Sequence, residues 1–380
     1  MSNMLGVYEA INGEIRYVGN NIREATDNIK STEFNPVSSE RLLHNLSNDK
    51  HMYHLHRIDA GMFNATVDYF RSINADWCNL PLTTKMISSP GEIYAGKKLD
   101  YTTDALPVNL EWFDQGNIFL AESSQFYLEL RLIIDQLDKV FSVYNSFRKE
   151  PADFSHLSEF QHIEFEGIIS FEENVKIYIG LLKYITDYLI KNCAENLAYY
   201  LTSEEIKELS HAFDDNMITT LTFKEAMKIL HDHTGDEKYK TVSLKNFGSY
   251  EEITLTRVLG THCNVTEFPL EEIPFYHDET FKDDNGNKVA RNADFIMLGY
   301  REVVGSGQRI TDIDAIRKKA EFFNLPLDDY APYIDLRLQD TYQTTCGFGV
   351  GWQRYTQWVT KMPFIWDVCH IPRGHFAPKP

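Results

Sequence analysis

The chain has 380 residues, 43% of them hydrophobic and 24% charged, which fits a folded protein and not a disordered one. Its 37 Lys and Arg against 56 Asp and Glu give a formal charge of −19, which argues against a protein that coats nucleic acid by neutralising phosphates. No apolar run approaches the roughly 18–20 residues that span a bilayer, and the first 21 residues lack the layout of a secretory signal. The five scattered cysteines form no CxxC pair, so they suggest neither a disulfide framework nor a thiolate zinc site. A reduced, cytoplasmic protein is expected.

Residues 1–50 are polar, with turn signals at Gly13, Gly19, Asn20 and Asn21, and read as a short extension ahead of a domain over 51–380. Leu55, Ile58, Met62, Ala65 and Tyr69 recur at helical spacing and predict a helix over 55–69. It runs into Trp77-Cys-Asn-Leu-Pro81, a strand stopped by proline. Strand then helix is expected over 118–130, and strands over 139–147 and 160–169 flank a polar loop, 148–158. In the second of these strands apolar and acidic positions alternate through Phe160, His162, Glu164 and Glu166. Residues 172–260 form a helix-rich insertion, in which Thr222 and Glu225 have capping-box spacing ahead of Ala226, Met227, Ile229 and Leu230. Strands return over 274–277, 294–298 and 301–304, followed by a helix over 312–323 and a glycine-rich stretch at Gly347. Strands that cluster, break for helices and resume indicate an α+β fold with a mainly antiparallel sheet flanked by helices.

Three segments carry possible chemistry. In Gly347-Phe-Gly-Val-Gly-Trp-Gln-Arg354, the alternating glycines, Gly349 and Gly351 among them, let backbone approach a ligand closely, and Arg354 lies one turn into the next helix, within reach of a phosphate. The same pattern also serves as a tight strand-to-helix turn with a surface arginine. Phe147-Arg148-Lys149-Glu150 and His156-Leu-Ser-Glu-Phe160 place a cation and carboxylates at two strand ends, which suits either a phosphate and a polar base or a solvated hairpin. Asp294 and Glu302 can together hold Mg²⁺, which takes one or two protein carboxylates, or can form an exposed acidic edge. No spacing suits a transition metal, and His156 is the histidine singled out.

Taken together and in order, these segments resemble the class II aminoacyl-tRNA synthetases of the asparaginyl and aspartyl branch, over about 54–380. Residues 55–81 resemble the family's first motif, which lies at a dimer interface. Phe119-Leu-Ala-Glu-Ser-Ser-Gln125 is similar to the stretch whose glutamine holds the substrate amino group, 147–160 to the second motif, 302–309 to the magnesium segment and 347–354 to the third motif. The resemblance implies an antiparallel synthetase-like sheet, a homodimer, and ATP and Mg²⁺ as cofactors. It implies that Arg148 binds the α-phosphate, Glu150 contacts the adenine amino group, Phe160 stacks on adenine, Arg354 holds the γ-phosphate and His156 sits near the outgoing pyrophosphate. Asp294 and Glu302 would carry Mg²⁺, and no protein nucleophile is required because the substrate carboxylate is already ionised.

Three departures from the family pattern shape the functional expectation. Only some fifty residues precede the first motif, where the family carries an anticodon-reading OB-fold of about a hundred. Tyr333-Ile-Asp-Leu-Arg337-Leu338-Gln339 resembles the segment with two consecutive arginines, the second of which grips the substrate side chain; Leu338 or Gln339 stands at that second place, and Arg337 and Leu338 are the residues expected to bind substrate here. Gln353 replaces an acidic residue, and the loop Ser88-Ser-Pro-Gly91 looks short. The expectation is adenylation of an Asp- or Asn-like amino acid and its transfer to a non-tRNA acceptor such as ammonia or an amine, with no membrane partner. The alternatives are tRNA charging without an anticodon domain, or a non-catalytic sensor of amino acid or ATP.

Overall fold

The computed structural model describes residues 6–19, 39–88, 106–108, 118–149, 153–282, 286 and 288–374. Its principal elements are α1 (Lys50–Ser72), β1 (Asp76–Trp77), α2 (Gln125–Arg131), β2 (Lys139–Phe147), β3 (Glu159–Gly167), α3 (Phe171–Asn192), β4 (Ile218–Thr222), α4 (Phe223–Thr234), α5 (Ser249–Leu259), β5 (His262–Thr266), β6 (Asn292–Ile296), β7 (Glu302–Gln308), β8 (Cys346–Gly351) and α6 (Trp352–Thr360). The strands form an eight-stranded sheet in the order β1-β2-β3-β8-β7-β6-β5-β4. Every pairing is antiparallel except the outermost at each edge, β1 with β2 and β4 with β5.

Register explains the two faces of this sheet. Cross-strand partners share a face, so Ser142, Glu164, Gly349, Gly305 and Asp294 form one row, and Glu166, Gly347, Gly307 and Asn292 another. The alternate residues Phe141, Ile163, Phe165, Phe348, Val350, Val304 and Phe295 point the other way and are buried. Phe70 of α1 lies on them, its ring parallel to Phe165 at 5.6 Å and to Phe141 at 4.4 Å. Helix α3 packs beside α1, presenting Tyr178, Leu181, Leu182, Ile185 and Leu189 at helical spacing. One face is therefore a hydrocarbon and aromatic core, and the other is left polar and bare.

Helix starts follow local chemistry. Asp49 caps α1 through the His51 amide at 2.9 Å, and Ser170 caps α3 at Glu173. Thr222 and Glu225 form the expected capping box at the start of α4, and Gly235 ends that helix in the left-handed region. The described part of the N-terminal extension is a hairpin, Tyr8–Ile11 with Glu14–Tyr17, turned at Asn12 and Gly13, both with positive φ. It is built into the core rather than appended: the Val7 and Tyr8 amides donate to Gly299 O, and the Tyr17 hydroxyl donates to Lys361 O at 2.6 Å.

The expected helix-rich insertion over 172–260 is rich in helices, but it contains the sheet strand β4 and the core helix α3. No strand forms at 274–277, where only an isolated bridge joins His277 to Arg309. The strand expected at 77–81 is confined to Asp76–Trp77.

The segment around Arg337 is structural. All three guanidinium nitrogens are engaged, with Glu129 Oε1 at 2.9 Å, Ile310 O at 2.8 Å and Tyr333 O at 2.7 Å, and the Tyr333 hydroxyl closes on Glu129 Oε2 at 2.6 Å. The pair is fully buried and fastens α2 to the helix Leu327–Ile334. Arg337 and Leu338, expected to bind substrate, line neither half of the cleft described below, and Leu338 projects into solvent. Arg337→Ala leaves the Glu129 carboxylate buried without its cation, so urea unfolding is expected to show a loss of about 3–5 kcal/mol.

Candidate active site

The bare face of the sheet carries a cleft with two adjoining halves, of about 200 and 280 Å³. Arg148, His162, Glu302 and Gly349 line both. The first half is walled by the β2–β3 turn, the start of β7 and the β8–α6 junction. There Arg354 donates to Glu302 O at 2.9 Å, to Ser155 O at 3.3 Å and to His156 Nε2 at 2.9 Å. His156 Nδ1 lies 2.8 Å from Asp153 Oδ1. Because Arg354 can only donate, His156 accepts at Nε2 and donates from Nδ1. Burial raises the Asp153 carboxyl, but its bonds to His156 outweigh that and hold it well below the usual range. The chain Asp153–His156–Arg354 thus aims one guanidinium into the cleft.

Arg148 leaves the end of β2 with its guanidinium 5.7 Å from the centre of the Phe160 ring. Phe160 itself stands on β3 with an edge toward His162, centroids 4.8 Å apart. Arg301 and Glu252 form a buried pair at 2.8 Å, and Glu252 also accepts from the Glu302 amide, fixing the start of β7. Gly349 and Gly351 border this half, and a β-carbon at either would meet only ordinary contacts, so here the glycines provide open space rather than a forced fit. Glu150 lies outside the described residues.

The second half is framed by β3, β6, β7 and the start of α2. Glu164 is buried on the sheet face, accepting from the Ser123 hydroxyl at 2.5 Å and the Ser124 amide at 3.2 Å. Burial pushes its carboxyl up to about 7 despite those bonds and the nearby Arg309. Glu166 binds Arg309 along a single edge of the guanidinium, Nη2 to Oε2 at 2.8 Å and Nε to Oε1 at 3.0 Å, and accepts from the Thr345 hydroxyl at 2.7 Å. Gln125 donates to Phe165 O at 2.6 Å and to Glu166, turning its carboxamide oxygen toward the cleft. Arg309 Nη1 keeps no hydrogen-bond partner among the described residues and borders the same space, below the Tyr276 ring. Asp294 and Glu302 stand on neighbouring strands and both face Gly305, whose β-carbon would lie 3.2 Å from Glu302 and 3.8 Å from Asp294. Burial first, then the charges of Glu302 and Glu252, raises the Asp294 carboxyl well above the usual range.

The structure therefore gathers Arg148, His156, Phe160, Gly349, Gly351, Arg354, Gln125, Asp294 and Glu302 around one cleft and leaves Arg337 and Leu338 outside it. Sequence reasoning did not single out Glu164, His162 and Arg309 as site residues. The first two were readable, because they share the two-residue period of Phe160 and Glu166. Arg309 was not, because it lies past the end of β7, where strand alternation no longer says which way a side chain turns.

Residues 98–375 match the class II tRNA synthetases (D, K and N), and the chain belongs to that family. Its members are ATP-dependent ligases that form an aminoacyl-adenylate. Among curated relatives, the asparagine–tRNA ligase of Lactobacillus delbrueckii is 26% identical over 316 residues, 82% of this chain and 67% of that protein. The asparagine–tRNA ligase of Thermus thermophilus is 27% identical over 285 residues, 73% of this chain and 62% of that protein. The chain spans 60–69% of the length of such relatives. Asparaginyl-tRNA synthetase from Pyrococcus horikoshii, solved with asparaginyl-adenylate, shares the fold, with a TM-score of 0.75, 22% identity and coverage of 97% of this chain and 79% of that one. The Entamoeba histolytica asparaginyl-tRNA synthetase, also with asparaginyl-adenylate, gives 0.73 and 20%, covering 94% and 77%.

The Glu164 carboxyl has a directional consequence for any ammonium-bearing ligand. The group is charged above about pH 7 and neutral below it, so KM for an amino-acid substrate is expected to rise as pH falls from 8 to 6, and Glu164→Gln to flatten that rise. Steady-state exchange kinetics across this range check it.

Proposed function

We propose that the chain activates asparagine or aspartate by adenylation with ATP. The observation that carries the reading is the division of the cleft into two halves that meet at Arg148, His162, Glu302 and Gly349. ATP occupies the first half, with adenine on Phe160, the α-phosphate at Arg148, and the γ-phosphate at Arg354 near His156. The amino acid occupies the second half, its ammonium at Glu164 and the Gln125 oxygen. Arg309, with one edge spent on Glu166, offers its other edge to the side-chain oxygen of the substrate. This assigns to Arg309 the grip that sequence comparison had given to Arg337 and Leu338.

The substrate carboxylate attacks the α-phosphorus where the two halves join, and pyrophosphate leaves toward Arg354. Oriented cations supply the stabilisation, and no side chain need accept a proton. Asp294 and Glu302 fit a divalent cation. They form a hard oxygen pair in which the charge of Glu302, itself 3.8 Å from Arg354 Nη1, raises the Asp294 carboxyl, and Mg²⁺ needs no more than two protein carboxylates when phosphates and water complete its shell. When bound there, the ion neutralises phosphate charge.

For the second half-reaction we propose a small amine or ammonia as the acceptor. The net charge of −19 supports this, since it opposes a polyanion. We also propose a homodimer, supported by Tyr53 and Phe63, 62% and 50% exposed on α1, and Trp77, 61% exposed on the edge strand β1. Among the described residues no helix is long and apolar enough to cross a membrane.

ATP–pyrophosphate exchange against a panel of amino acids tests the first step. Exchange that depends on asparagine or aspartate is expected, and its absence with every acid defeats the reading. Arg354→Ala is expected to lower that exchange by about 10²-fold or more, as for the loss of one oriented charge stabiliser. For the acceptor, AMP release driven by ammonia or hydroxylamine is expected, whereas charging of bulk tRNA at the rate of exchange would overturn it. Sedimentation is expected to give a dimer at micromolar concentration.

A further inference from the structure

His162 belongs to neither phosphate-binding group assigned above, yet it is one of the four residues lining both halves of the cleft. Its Nδ1 lies 2.8 Å from the Ser146 hydroxyl, which is completely buried within β2 and has no other hydrogen bond among the described residues. Glu164 Oε1 is farther away, 3.6 Å from Nδ1, beyond hydrogen-bond range and already taken by Ser123. A buried hydroxyl that can donate to only one atom donates to it, because an unmade bond at a buried donor is costly. Nδ1 is then the acceptor, and the ring hydrogen resides on Nε2, which has no protein partner among the described residues. Burial, followed by the charges of Arg148 and Arg354, pushes the imidazole down to about 3. The ring therefore stays neutral, with one fixed donor, in the physiological range.

Resting on the adenylation reading above, we propose that His162 is a catalytic hydrogen-bond donor, a neutral imidazole whose Nε2–H stabilises the oxygen charge that develops at the α-phosphate during activation. In the step, a carboxylate oxygen of the amino acid forms a bond to the α-phosphorus. The bond from that phosphorus to the bridging oxygen breaks, and its electron pair leaves on pyrophosphate. His162 keeps its proton throughout. Charge on the non-bridging oxygens peaks between the two halves, where only a donor fixed beforehand helps without reorganising. Ser146 acts as a positioning residue that sets the tautomer.

The test is ATP–pyrophosphate exchange by wild type, His162→Leu, His162→Gln and Ser146→Ala, with ATP binding and thermal unfolding measured on each. His162→Leu is expected to lower kcat by about 10²-fold while KM for ATP moves less than threefold. His162→Gln, whose amide nitrogen can reach the position of Nε2, is expected to recover most of that loss. Ser146→Ala, which frees the tautomer, is expected to lower kcat severalfold at constant KM. A kcat within threefold of wild type in His162→Leu overturns the proposal, as does a His162→Gln that folds and binds ATP yet fails as badly as His162→Leu. Should His162→Leu not fold, an unchanged kcat in Ser146→Ala overturns it. If wild type itself shows no exchange, the adenylation reading fails instead, so the two failures are distinct.

Discussion

How deep the cleft is depends on how closely polar side chains can lie against the middle of the sheet, and that distance is set by the absence of β-carbons on β7 and β8. A β-carbon at Gly347 would fall 2.0 Å from Glu166 Oε2 and 2.4 Å from the Gln125 amide nitrogen, and one at Gly307 would fall 2.2 Å from His277 Nδ1. At Gly347 no side-chain shift absorbs such overlaps, because Glu166 and Gln125 are bonded to each other, and at Gly307 the His277 ring is buried. The glycines thus do two jobs on one face of the sheet. Gly347 and Gly307 admit protein groups onto the sheet, while Gly349 and Gly351 leave room beside them. The opposite face pays for this emptiness with Phe70, Phe165 and Phe348 stacked against one another, so cohesion of the sheet does not rely on the face that carries the site.

On that open face, order comes from ion pairs and not from packing. Glu166–Arg309 and Glu252–Arg301 are buried and bonded at nearly every lone pair. Pairs of this kind add little net stability compared with hydrocarbon of the same shape, because desolvation offsets attraction. What they supply here is position. Glu166 spends one edge of the Arg309 guanidinium so that the other has a fixed direction, and Glu252 holds both Arg301 and the Glu302 amide. A chain of net charge −19 thereby presents four arginines, Arg148, Arg301, Arg309 and Arg354, along one groove. Inside the groove, local arrangement decides which small anion is held, while the net charge of −19 bears on large polyanions that approach from outside.

Much of this was legible in the sequence where a residue's role depends on local periodicity. The strand Lys139–Phe147 and the capping box at Thr222 came out with their observed bounds, because alternation and cap chemistry are local. Arg148 and Arg354 were singled out from their places beside a strand end and the glycines, and Phe160 through the resemblance to the second motif; all three line the cleft. Arg337 misled because an arginine near a motif reads alike whether it faces a ligand or a buried carboxylate. Only the fold brings Glu129, 208 residues away in sequence, against it. The strand β4 was hidden inside a helical stretch, since Ile218–Thr222 has one buried residue and pairs on a single side with β5. The N-terminal hairpin looked like an appendage because its partners, Gly299 and Lys361, lie hundreds of residues away.

The two halves of the cleft are built from different parts of the chain, and this has a consequence for how such a site can change. The first half is made by the β2–β3 hairpin and the β8–α6 turn, with Arg354 tied to Ser155 and His156 by direct bonds. Any alteration there disturbs several partners at once. The second half takes Arg309 from beyond the end of β7, Gln125 from the start of α2, and Tyr276 from a segment without regular strand pairing. Its groups converge from separate loops and are coupled chiefly through Glu166. Substitutions among them can reshape the space for an amino acid while the bonds that orient Arg354 and His156 stay intact. On the adenylation proposed above, a fold arranged in this way keeps nucleotide chemistry constant and lets the acyl substrate vary, and the boundary between the constant and the variable part runs through Arg148, His162, Glu302 and Gly349.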